Sequence, residues 1–109
     1  MKANYRLKKN YQYNYVFKKG KVAKTSNFVL LFCTCAKTTR IGFSISKKTG
    51  KAVVRNKLRR RLKNIFSQIY PTLKQGYNVV IMPKGEVKSD FWAIKNEVET
   101  LVQKANLTK

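Results

Sequence analysis

The chain has 109 residues, 43% of them hydrophobic, which is enough for one compact domain with a modest core and too little for a second. Its 25 lysines and arginines oppose 4 acids and no histidine, a formal charge of +21 that favours a polyanionic partner. No apolar run approaches the ~20 residues of a membrane-spanning helix and no cleavable signal opens the sequence, so a cytoplasmic protein with no membrane association is expected.

In chain order, residues 1–9 are polar and basic and read as a flexible arm. Asn10 is placed to cap a short helix running to about Lys19, in which Tyr13, Val16 and Phe17 recur at helical spacing, and Gly20 ends it. Residues 21–25 suit a short strand. The run NFVLLFCT, 27–34, is rich in strand formers, and after a polar break RIGFSIS, 40–46, alternates strictly. Ile41, Phe43 and Ile45 would face the core, leaving Gly42, Ser44 and Ser46 as a small, flat face that a sugar-phosphate backbone can approach closely. The basic loop KKTGKA follows. Val54, Leu58, Leu62, Ile65, Phe66 and Ile69 then repeat as a helix closed by Pro71. YNVVIMP reads as a buried strand, and Ser89 or Asp90 caps a last helix bearing Phe91, Ile94, Val98, Leu101, Val102 and Ala105. The expectation is a single α+β domain over 1–109 that binds RNA, in the order α-β-β-β-α-β-α.

Charge is distributed more sharply than its total suggests. Glu86, Asp90, Glu97 and Glu99 all lie beyond residue 85, with Lys88, Lys95, Lys104 and Lys109; the preceding 85 residues hold the other 21 bases and no acid. On a wheel of the second helix, Arg60 lies nearly opposite the apolar arc, flanked by Asn56 and Lys63, with Arg59, Arg61 and Lys57 at the sides. Solvated helix faces normally mix signs, so an unmixed cationic face points to nucleic acid. Arg55 falls near the apolar edge instead, leaning over the sheet. Lys47, Lys48 and Lys51, at the helix N-terminus, make a generic phosphate site.

Nucleotide hydrolysis is excluded by Ala52, which stands where a phosphate-binding loop needs Ser or Thr. A self-sufficient nuclease would need a His base or clustered carboxylates, absent before residue 86, so neither a catalytic residue nor a protein metal site is expected, nor a small-molecule substrate. Cys33 and Cys35, two apart in a strand with no His nearby, read as two small buried thiols and not as zinc ligands.

Residues 41–63, IGFSISKKTGKAVVRNKLRRRLK, resemble the signature of the bacterial ribonuclease P protein family: small-residue strand, basic Gly loop, then Ala-Val-x-Arg-Asn-Arg and further bases. The opening RLKKNYQYNYVFKKGK resembles that family's first helix and turn. The resemblance implies a fold like the second domain of ribosomal protein S5, with a mostly antiparallel four-stranded sheet, three helices and a left-handed β-α-β crossover. It implies that a catalytic RNA with bound Mg²⁺ removes the 5′ leader of precursor tRNA. The protein would hold that RNA through Arg55, Asn56, Lys57, Arg59, Arg60, Arg61 and Lys63, helped by Lys47, Lys48 and Lys51. It would hold the leader through Tyr13, Phe17, Leu31, Ser44, Ser46 and Arg55. Lys57 stands where the motif usually has Arg, Tyr13 where Phe is common and Leu31 where Tyr is frequent. A ribosomal-type or general RNA chaperone is the alternative; it explains the charge but not the joint appearance of both motifs.

Overall fold

The computed structural model describes residues 5–109. Its elements are α1 (Asn10–Lys19), β1 (Lys21–Lys24), β2 (Phe28–Thr34), β3 (Arg40–Phe43), α2 (Ala52–Ile69), β4 (Tyr77–Pro83) and α3 (Phe91–Lys104), with 3-10 turns at Lys47–Thr49 and Tyr70–Thr72. The strands form one sheet in the order β1-β2-β4-β3. β1 and β4 both run antiparallel to β2, while β3 runs parallel to β4, so the sheet is mixed and α2 is the crossover of a β-α-β unit. Among the described residues no helix is long and apolar enough to cross a membrane.

β2 and β4 are apolar almost throughout because helices cover both faces of the sheet. On one face Phe28, Leu30, Phe32, Ile41, Val79 and Ile81 pack against Leu58, Leu62, Ile65 and Phe66 of α2 and Ile94, Val98 and Leu101 of α3. On the other, Leu31 and Val80 pack with Val16 of α1 and with Leu7. The core is thus split by the sheet, and α1 with Leu7 covers the second face.

Local chemistry sets the ends of these elements, with some departures from expectation. Asn10 is the first residue of α1 and not its cap; Gln12 reaches back to accept from the Lys9 N–H at 3.2 Å. At the other end the Gly20 N–H donates to the Val16 carbonyl at 2.8 Å, and a Cβ at Gly20 would lie 2.4 Å from that oxygen, so glycine is required by contact. Asp90 caps α3 by accepting from the Ala93 N–H at 2.9 Å. The alternation through Ser46 outlasts the strand: β3 ends at Phe43, and Ser46 caps the following turn by accepting from the Lys48 N–H at 3.3 Å. Val54 is 43% exposed, outside the apolar arc of α2. Both cysteines are free and half-buried, not buried, and Cys35 lies past the end of β2.

The first four residues of the expected flexible arm lie outside the described residues. The rest of that segment is pinned: Arg6 bridges β3 at Ile41, the Leu7 N–H donates to the Ile41 carbonyl at 3.0 Å, and the Leu7 side chain is buried under α1. Tyr5 stacks on Tyr70 with ring centroids 3.9 Å apart. Glu97 joins two distant elements. Its carboxylate accepts from the Thr25 hydroxyl, the Asn27 N–H at 2.8 Å and the Asn27 amide at 2.9 Å, tying the β1–β2 turn to α3.

Candidate nucleic-acid interface

α2 turns its apolar arc to the sheet because Leu58, Leu62, Ile65, Phe66 and Ile69 are buried there, and this orientation alone fixes where its cations go. Asn56, Arg59, Arg60 and Lys63 line one shallow depression of about 500 Å³, in which Asn56 Oδ1 accepts from Arg59 Nη1 at 3.0 Å and steadies the guanidinium. Lys57 and Arg61 fall on the other flank, in a separate depression shared with Lys88, Ser89 and Asp90 before α3. The six side chains expected to act as one rail therefore form two groups.

The Arg59 group gains a member that the sequence did not single out. Partial burial lowers the Lys63 pKa, and the charges of Arg6 and Arg59 lower it further, which places Arg6 from the N-terminal segment in the same cationic field. Its position comes from the bridge to β3, a long-range pairing with no local signature. No carboxylate lines this depression. An anion entering it would relieve mutual repulsion as well as gain attraction.

Lys47, Lys48 and Lys51 are exposed around the 3-10 turn and the start of α2, whose first turn carries no acid. Arg55 is half-buried, as its helical phase implied, and its Nε is buried with no hydrogen-bond partner. The rest of the guanidinium, which carries four further N–H donors, is what Arg55 can offer to an acceptor.

The leader-binding set expected from sequence is only partly brought together. Leu31, expected on the leader-binding face, is 8% exposed beneath α1 and packs with Leu7, Val16 and Val80, so nearly all of its side chain is covered. Gly42 is likewise not open, because the Tyr13 ring lies on it so closely that an added Cβ would approach the ring to 2.7 Å. The Tyr13 hydroxyl donates to the Leu7 carbonyl at 3.2 Å. Ser46 is exposed but belongs to the turn cap.

What remains open is the next row of the sheet. Val29 pairs with Lys24 on one side and Met82 on the other, and Ser44 follows one step past the Phe43–Ile81 pair, its N–H donating to the Ile81 carbonyl at 3.0 Å. Val29, Met82 and Ser44 are half-buried and Lys24 is exposed. Tyr13 packs against the cluster that Val29 and Met82 also flank, and Phe17, four residues further along the same flank of α1, is 42% exposed. The result is a strip of apolar floor with an aromatic wall, a lysine at one end and Ser44 leading through the turn to Arg55 at the other. Val29 and Met82 were missed because the β2–β4 register, not the strand pattern, puts them side by side.

Among the described residues no three His, Cys, Asp or Glu side chains converge. The ribonuclease P family model matches residues 1–106. The chain belongs to the ribonuclease P protein family. The ribonuclease P protein component of Clostridium kluyveri is 37% identical over 109 residues, covering 96% of this chain and 97% of that one. That of Finegoldia magna is 42% identical over 84 residues, 77% and 74% of the two chains. Among solved structures, the RNase P protein of Staphylococcus aureus superposes with a TM-score of 0.88 at 28% identity, covering 96% and 98% of the two chains. The Thermotoga maritima RNase P protein gives 0.83 at 28% identity over 91% and 96%. Membership in the ribonuclease P family carries a role in tRNA processing within an RNA-containing ribonuclease, and it accords with a basic α+β domain whose cations are gathered on α2.

Proposed function

We propose that this chain is the RNA-binding subunit of a cytoplasmic ribonuclease P, holding the catalytic RNA on α2 and the 5′ leader of precursor tRNA on the strip beside α1. The observation that carries the reading is the field of Arg59, Arg60 and Lys63 on the helix that the family motif occupies, joined by Arg6, with Arg6 and Arg60 exposed, Arg59 and Lys63 half-buried, and no acid lining the depression. Phosphates would neutralise this field, while Phe17 and the Val29–Met82 floor would take unpaired bases by stacking and apolar contact. Arg55 would bind the leader backbone where the strip meets α2.

The chain supplies no nucleophile or general base in this scheme. Hydrolysis belongs to the RNA, with Mg²⁺ held by RNA phosphates, and the protein raises the local concentration of the right substrate and fixes its leader. The deciding experiment is precursor tRNA processing at low Mg²⁺ with the protein alone, the cognate RNA alone and both together. Cleavage at the mature 5′ end should require both. Cleavage by the protein alone would refute the division of labour, and unchanged cleavage by the RNA alone would reduce the protein to a general RNA binder.

A further inference from the structure

A second aromatic and cationic cavity lies on the opposite flank of α1 from the strip. It encloses about 490 Å³ and is lined by Tyr15 and Lys19 of α1, Lys21 of β1, Cys33 of β2, Tyr77 of β4 and Asn106 after α3. That volume falls in the ~300 to 1,000 Å³ range of small-ligand sites and accommodates one nucleotide. Tyr15 is 57% exposed and belongs to neither core cluster, and Tyr11, one turn earlier, is 69% exposed; packing accounts for neither ring. Tyr77 is half-buried against the main core, so one wall of the cavity is rigid.

The acids are all elsewhere. Asp90 caps α3, Glu97 is committed to Thr25 and Asn27, Glu99 lines a different cavity with Lys95, and Glu86 precedes α3. An exposed ring beside two lysines, with no carboxylate in the lining, is complementary to a flat base carrying a phosphate. An acidic peptide would satisfy the lysines and leave Tyr15 unused.

We propose that this cavity holds one unpaired nucleotide of a single-stranded RNA segment, its base on Tyr15 and its phosphate on Lys19 and Lys21, as a second RNA site separate from the strip. The segment comes from the catalytic RNA or from the tRNA precursor, and the two sources are separable by experiment.

Cys33 lines the cavity and Cys35 does not, which provides a reporter. Burial, and secondarily Cys35, raise the Cys33 thiol pKa, so its alkylation is slow enough to follow by mass spectrometry. A uridine hexamer added to the full chain should slow alkylation of Cys33 and not of Cys35. Tyr15→Ala should raise the hexamer concentration needed for half-protection roughly 5- to 150-fold, the value of one stacked base, while Tyr15→Phe and Phe17→Ala leave it unchanged. Circular dichroism and melting establish that Tyr15→Ala remains folded, as its exposure implies. In the reconstituted holoenzyme, Cys33 protection by the catalytic RNA alone assigns the nucleotide to that RNA, and protection appearing only with precursor tRNA assigns it to the substrate. Cys33 alkylation unaffected by the hexamer and by both RNAs would overturn the proposal. So would equal protection in Tyr15→Ala, or equal protection by a hexaglutamate peptide.

Discussion

Replacing Arg59, Arg60 and Lys63 together by alanine removes three cations from the side of α2 turned away from Leu58, Leu62, Ile65 and Phe66, so the helix keeps its packing. Alanine also raises helix propensity slightly, and relief of the repulsion among Arg6, Arg59 and Lys63 offsets the lost side-chain packing. If each side chain neutralises one phosphate, each contributes about 0.9 to the slope of log affinity against log salt, and the three together about 2.7. Between 50 and 200 mM salt one contact changes affinity about 3.5-fold, and three change it about 40-fold. The wild type, with about 6 to 10 phosphate contacts, should lose about 10³ to 10⁵ over that range, and the triple variant about 40-fold less than the wild type. The assay is a salt titration of affinity for the cognate catalytic RNA, with thermal melts run in parallel. A variant that binds more weakly with an unchanged salt slope would refute phosphate contact by these side chains. Loss of cooperative melting with unchanged affinity per folded molecule would make the cationic face structural.

Arg6→Ala should reduce the same slope by about 1 without altering the melt, since Arg6 reaches the α2 field while its backbone holds the bridge to Ile41. Phe17→Ala should remove about 1 to 3 kcal/mol of the preference for leader-bearing over leaderless tRNA in the holoenzyme and leave affinity for the catalytic RNA unchanged; equal wild-type affinity for both substrates sinks the strip assignment. Leu31→Tyr should not sharpen leader discrimination but should destabilise by about 1 to 3 kcal/mol in denaturant unfolding, because the larger side chain must fit under α1. Glu97→Ala should cost about 1 to 3 kcal/mol, the penalty of stranding Thr25 and Asn27. Burial alone would raise the Glu97 pKa, but hydrogen bonds from Thr25 and Asn27 and the Lys84 charge outweigh it and hold the carboxyl below its usual range. The group's contribution is therefore complete above the ordinary carboxylate pKa and fades as pH falls through the depressed folded value; the wild type should lose stability relative to Glu97→Gln over that acid interval.

Periodicity and punctuation in the sequence determined the seven elements and their order. They succeeded because α2, α3, β2 and β4 are long and strongly patterned, and because Gly20, Pro71 and Asp90 act locally on the elements they end. The location of the cations relative to the apolar arc of α2 was also legible, since helical phase follows from spacing alone. The accessible surface was not. Leu31 and Phe17 are both apolar residues on strongly apolar elements, and only the docking of α1 across the sheet buries one and leaves the other 42% exposed. Likewise Gly42 reads as open strand until Tyr13 closes over it, and Arg6 reads as arm until its bridge to Ile41 brings it to Lys63. Each of these depends on contacts between segments far apart in the chain, where burial of one surface against another, and not the pattern within either segment, decides what is left for RNA.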